Sequence, residues 1–299
     1  MSILDMEIIV EIGTEEQKKQ IKQELEIIQT VSNQISIPTS IAFIIVPDDF
    51  DKKVNELQNT SNYKSIRKTQ HAHAKTISTS NGIILVFSKL LFTAKHDNFT
   101  RLQFYMHEFM HVVNKGRLPI LKEEPTSKYP YLSNLYILFD EYSANRKSLE
   151  IIDSVFPQTS IRYRLSNITH LKWFIKPLIN DSEHYDIIRI EIEKFRTHGK
   201  IEQFLENTKP HFDEVSKAII YSYSFIDHSS KFQRFQPFLA KSKFINNKTI
   251  NLINFYRSQF DKGESDLSEG INLMTEFIEN FGIRLEDCHQ GLYCHVIDI

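Results

Sequence analysis

The chain has 299 residues, 41% of them hydrophobic and 25% charged, with a formal net charge of −2. A chain of this size has room for two domains and buries enough surface to need no disulfide framework. The near-neutral balance speaks against a general nucleic-acid or membrane-surface binder, though not against a local patch, and two cysteines suit a reducing compartment.

The N-terminus carries acids where a secretory signal needs basic residues. The longest apolar runs, IAFIIV (41–46) and GIILVF (82–87), fall far short of the ~20 residues of a membrane span, so the chain reads as cytoplasmic. Residues 6–13 read as a strand ending in Gly13. Thr14 with Gln17 forms a capping box, and Ile21, Leu25, Ile28 and Val31 then recur at helical spacing. Residues 39–47 read as a buried strand stopped by Pro47; Asp48 or Asp49 caps a short helix with Phe50, Val54 and Leu57 on its apolar face. Residues 75–89 read as one strand or as a hairpin turning at Asn81-Gly82. This alternation predicts a mixed α/β layer.

Thr100 with Gln103 predicts a second capping box opening a helix, with Gly116 in a left-handed cap at its end. A loop containing Pro119, Pro125 and Pro130 follows, and then a long helix over 133–152. Residues 153–160 are the expected boundary between a domain spanning 1–155 and one spanning 156–299. The second is mostly helical. Its stripes are Ile168, Leu171, Phe174, Ile175 and Leu178; Val215, Ile219 and Ile226; and Ile271, Met274, Ile278 and Phe281. Residues 187–195 fit either period and read as helix because Asn180 and Glu183 have the form of a cap. The tail reads as a strand pair around Gly291.

The chemistry concentrates in YMHEFMHVV, residues 105–113. On a helix, His107 and His111 stand one turn apart on one face and can donate ring nitrogens to one ion. Glu108 is rotated by about 100°, within reach of a water on that ion but poorly placed as a ligand. HExxH in an apolar helix is the arrangement of a zinc peptidase, with two histidine ligands and a general base. A catalytic zinc takes three protein ligands and keeps one position open. A third histidine six residues after the second is excluded, because Arg117 stands there and Asn114 replaces the intervening glycine. Glu141, thirty residues after His111 in FDEYSANRKSLE, is the expected third ligand. Asn145, one turn further on, is the expected partner for a ligand histidine's second nitrogen. Asp140, Glu123 and Glu124 are the competing carboxylates.

HEFMH followed by EYSAN resembles the zincin metallopeptidases with a glutamate third ligand, most closely the ImmA/IrrE group. The resemblance covers about residues 75–150. With the helical spacing beyond residue 160, a stretch that resembles no named family, the expected fold is α+β, a zincin-like N-terminal half followed by a mostly α-helical half; the resemblance itself implies the small mixed sheet packed on the HExxH helix. It also implies one zinc ion per chain, held by His107, His111 and Glu141, and cytoplasmic proteolysis with Glu108 as the catalytic residue. Glu108 takes the proton of the attacking water and passes it to the leaving amine. A second electrophile is expected beside the zinc, with Tyr129, Tyr131, Tyr142 and His170 as candidates. The strand at 83–87 is a candidate edge for an extended substrate. The expected partner is a protein or peptide substrate. The sequence carries no direct sign of nucleic-acid binding, holds no membrane segment and defines no oligomeric state.

Two rival functions stand beside this one: a regulatory or interaction protein on a zincin scaffold, and a toxin- or immunity-type effector protease. Three further clusters read as ordinary structure. HAH (71–73) is a wet strand end rather than a second metal site, and CHQGLYCH (288–295) is a hairpin rather than a zinc clip or redox pair. Trp173 with Phe174 belongs to the core.

Overall fold

The structure is a computed structural model. It describes residues 6–35, 41–64, 66–67, 70–93, 97–119, 128–155, 169, 171–172, 174–179, 181–288 and 291–299. The chain is mixed α and β, with a small mixed sheet and a helical C-terminal part. It forms two compact units: Met1–Arg117 with Lys147–Ser166, and Leu118–Arg146 with Asn167–Ile299. The chain therefore changes unit three times, and one change falls inside a helix rather than in a linker. Among the described residues no helix is long and apolar enough to cross a membrane.

In the first unit the elements follow in order: β1 (Glu7–Val10), α1 (Glu15–Ser32), β2 (Ile41–Val46), α2 (Phe50–Gln58), β3 (Ile66–Arg67), β4 (Gln70–His71), β5 (Ala74–Thr79), β6 (Gly82–Phe87) and α3 (Asn98–Lys115). The sheet order is β1-β2-β6-β5, with β1, β2 and β6 parallel and β5 antiparallel to β6. β6 lies between two neighbours and is covered on both faces, which is why it reads as an unbroken apolar run. Ile84 and Val86 meet Phe50 and Val54 of α2 through Ile45 and Ile77. Phe87 turns the other way, its ring edge-on to Tyr105 of α3 at 5.2 Å. α1 buries Ile21, Leu25, Ile28 and Val31. It is tied to α3 where Tyr105 Oη donates to Glu24 Oε1 at 3.0 Å.

The Thr14–Gln17 capping box is present, and Asp49 caps α2. The 75–89 segment is a hairpin, with Thr79 paired to Gly82 across its turn. Three expectations need correction. Asp97, not Thr100, caps α3: its carboxylate accepts the Thr100 N–H at 2.7 Å, so the helix begins earlier, and an anion suits the positive helix end. Gly116 is right-handed (φ −80), because α3 ends in a tightened turn where Arg117 N–H donates to the Asn114 carbonyl at 2.8 Å. The strand at 83–87 is interior; the sheet edges are β1 and β5, and β5 carries Lys115 Nζ on Ser78 Oγ at 3.1 Å.

α4 (Lys128–Val155) starts before its expected first turn, with Pro130 near the N-terminus where a missing N–H costs nothing. Residues up to Arg146 belong to the second unit and the rest to the first. Within the first unit, Gln103 Nε2 of α3 donates to Ser148 Oγ of α4 at 3.0 Å.

The second unit continues with a helical stretch over 174–179 (α5), α6 (Asp181–His198), α7 (Ile201–His228), a 3₁₀ turn (Ser230–Phe235), α8 (Gln236–Leu239), α9 (Asn247–Lys262) and α10 (Ile271–Glu279). The hairpin β7 (Ile283–Cys288) and β8 (Gly291–Val296) completes it. The expected stripe residues Leu171, Ile175, Leu178, Val215, Ile219, Ile226, Met274, Ile278 and Phe281 are buried. Residues 187–195 are helical. Ile168, Trp173 and Asn180 lie outside the described residues. Asp227 is a polar hub. Arg257 donates to both of its oxygens, from Nε at 2.8 Å and Nη2 at 2.7 Å, and Tyr142 Oη donates at 2.7 Å.

Candidate metal centre

α3 sets the centre by local geometry alone. Four-residue spacing stacks His107 and His111 so that their Nε2 atoms lie 3.0 Å apart, the rings crossing at 86°. Glu108 and His111 are buried, and His107 is half-buried. One ligand atom from each of the three lies within 4.8 Å of the others. Two nitrogens bound tetrahedrally at 2.0–2.1 Å stand about 3.3 Å apart, so this donor set fits zinc with little adjustment.

The sheet edge orients Glu108. Thr76 Oγ1, on β5, donates to Glu108 Oε2 at 2.6 Å and lies 3.1 Å from the Glu108 carbonyl oxygen. Among the described residues no other side chain bonds this carboxylate. Nothing in the sequence of α3 announces Thr76; only pairing β5 to β6 and packing both on α3 brings it there. The HAH segment divides between elements: His71 ends β4, and His73 precedes β5 with its ring 5.5 Å from Phe104.

Glu141 belongs to the second unit. Its carboxylate accepts from Lys217 Nζ at 3.1 Å on Oε1 and from Tyr221 Oη at 2.7 Å on Oε2, both from α7. Asn145 is buried, and its Nδ2 donates to Ser224 Oγ at 2.6 Å. Lys217, Tyr221 and Ser224 escaped the sequence reading, which followed the apolar stripe of α7. Their own spacing of four and three residues marks a polar stripe on the same helix, and that was the available signal.

The expected electrophiles are placed as follows. Tyr131 Oη accepts the Leu285 N–H at 2.6 Å, and Tyr142 Oη donates to Asp227. Burial pushes both phenols above their ordinary range, so they stay protonated, but these bonds commit them to holding the second unit together. Tyr129 is half-buried in the first turn of α4. His170, Glu123 and Glu124 lie outside the described residues. In the C-terminal hairpin Cys294 pairs with Leu285 and Cys288 with Gly291. The two cysteines stand three register steps apart, about 10 Å along a strand and beyond disulfide reach. Cys294 is a free thiol whose pKa burial raises.

No family model, curated protein or solved structure matches this chain. Its chemistry is therefore read from the site itself.

Proposed function

We propose that this chain is a zinc-dependent metallopeptidase of the glutamate-ligand zincin kind, similar to the ImmA/IrrE group, acting in the cytoplasm on a dedicated protein substrate. The observation that carries the reading is the pair of Nε2 atoms 3.0 Å apart, with the Glu108 carboxylate in the same 4.8 Å cluster. His107 and His111 hold the ion, and Glu141 is the third ligand. Glu141 is chosen by its place in the EYSAN segment, thirty residues after His111.

Zinc, when bound, supplies a Lewis acid that brings the pKa of water toward about 7. Glu108, held by Thr76, accepts a proton from the attacking water and returns it to the leaving amine. An extended substrate adds to the β5 edge, beside Thr76. A purely regulatory scaffold has no use for an oriented base, and the Thr76–Glu108 bond favours catalysis over it.

Zinc analysis of the purified chain, paired with Glu108→Gln, tests this. The wild type should carry about one equivalent, and the variant should keep the metal and lose hydrolysis. Absence of bound zinc, or a fully active Glu108→Gln, rejects the assignment.

A further inference from the structure

A second surface, independent of the metal centre, lies in the second unit. Between Asp227 and Asp261 the chain has six lysines and arginines and not one carboxylate, in a protein whose net charge is −2. Two of the six are neutralised from elsewhere: Arg257 by Asp227, and Lys248 by Glu279 at 2.9 Å. Lys243 lies over the Tyr185 ring at 4.1 Å; the buried Asp181 carboxylate near it accepts the Lys243 backbone N–H. Arg234 and Lys241 are exposed and form no ion pair among the described residues.

These two cations flank an apolar knuckle. Phe238 is 47% exposed at the end of the 3₁₀ turn and α8, and Phe235 is half-buried beside it with ring centroids 6.4 Å apart. Arg234 sits over the Phe235 ring at 5.2 Å and Lys241 over Phe238 at 5.7 Å. The knuckle is anchored rather than loose: Phe232 and Leu239 are buried, Phe232 edge-on to Phe225 at 6.1 Å. The sequence thus spends two apolar residues on holding the turn and turns two aromatic rings outward among cations.

We propose that the 230–243 turn is a contact surface for an anionic lipid bilayer. Aromatic side chains seat at the headgroup level, while neighbouring Arg and Lys keep their charges on lipid phosphates. A nucleic-acid groove needs a longer track of cations and open ring faces for stacking. Here the cations are few, gathered on one knuckle, and each lies over an aromatic ring. One such knuckle gives weak, reversible, salt-sensitive attachment.

Co-sedimentation of the full chain with lipid vesicles tests this. The chain should bind phosphatidylserine-rich vesicles and not pure phosphatidylcholine, and should be released at about 1 M salt, where the screening length falls to ~3 Å. R234E/K241E should lower binding roughly tenfold or more, and F238S should lower it less. Both changes lie on the surface, so the thermal midpoint should stay that of wild type. Equal binding to both vesicle types, binding to neither, or R234E/K241E binding like wild type would overturn the proposal. So would charge-dependent capture of a single-stranded oligonucleotide without vesicle binding, which would assign the surface to nucleic acid.

Discussion

Two pairs of histidines in this molecule look alike and differ in kind. His107 and His111 bring Nε2 atoms to 3.0 Å with rings crossed at 86°; His184 and His211 bring Nδ1 atoms to 2.9 Å with rings crossed at 70°. The first pair comes from one helix and has Glu108 beside it, making the only such three-member donor group among the described residues. The second joins α6 to α7, with His211 buried, and has no described third donor. One ring donates Nδ1–H and the other accepts, so the contact is a bond between helices. The separation of two imidazoles therefore does not by itself separate the pairs; the Glu108 carboxylate in the same cluster, held by Thr76, does.

The largest expected effect separates the pairs directly. His111→Ala should abolish zinc retention, a loss beyond the roughly 10–100-fold cost of removing a mere outer partner. His211→Ala should leave about one zinc per chain. Metal content after dialysis checks both, and zinc lost on His211→Ala but kept on His111→Ala would invert the comparison. In stability the order reverses. His211→Ala leaves His184 without its partner and opens a cavity between helices, which should cost about 2 kcal/mol in urea unfolding. His111→Ala, compared with metal-free wild type, should cost less.

Thr76→Val sharpens the comparison from the side of the base. The side chain keeps its volume but loses the 2.6 Å bond to Glu108. Zinc content should stay constant while turnover falls roughly tenfold, with little change in KM, and Thr76→Ser should restore much of it. A kcat unchanged in Thr76→Val would show that α3 holds Glu108 unaided.

That difference also explains what could be read from the sequence. His107, Glu108 and His111 were legible because one helical turn fixes their relation, and the α1 and α7 stripes were legible because periodicity fixes burial. Thr76, Lys217 and Tyr221 were not, since each reaches its carboxylate from an element distant in sequence. The β5 edge was misassigned to 83–87 because an apolar run does not tell which of two paired strands is interior. Asp97 and Thr100 are both competent caps in sequence, and Asp97 takes the position because its carboxylate accepts the Thr100 N–H.

The smallest expected effect concerns charge that serves only the fold. Burial alone would raise the Glu279 carboxyl, but hydrogen bonds and charge from Lys248 and Arg284 outweigh it and hold the group below the usual carboxylate range. A folded pKa below the unfolded value of about 4.3 means the stabilisation is complete above that value. It is lost as pH falls through the lowered folded one. Lys248 and Arg284 are 42% and 53% exposed, so solvent screening limits the contribution to under about 1 kcal/mol. Glu279→Gln should lower the thermal midpoint slightly at neutral pH, and the gap to wild type should close in acid. A gap that stays constant from neutral to acid pH would mean that shape, not charge, is what Glu279 supplies. Zinc content should not differ between the two proteins at neutral pH, because this ion pair belongs to the second unit's packing, as the His184–His211 bond does.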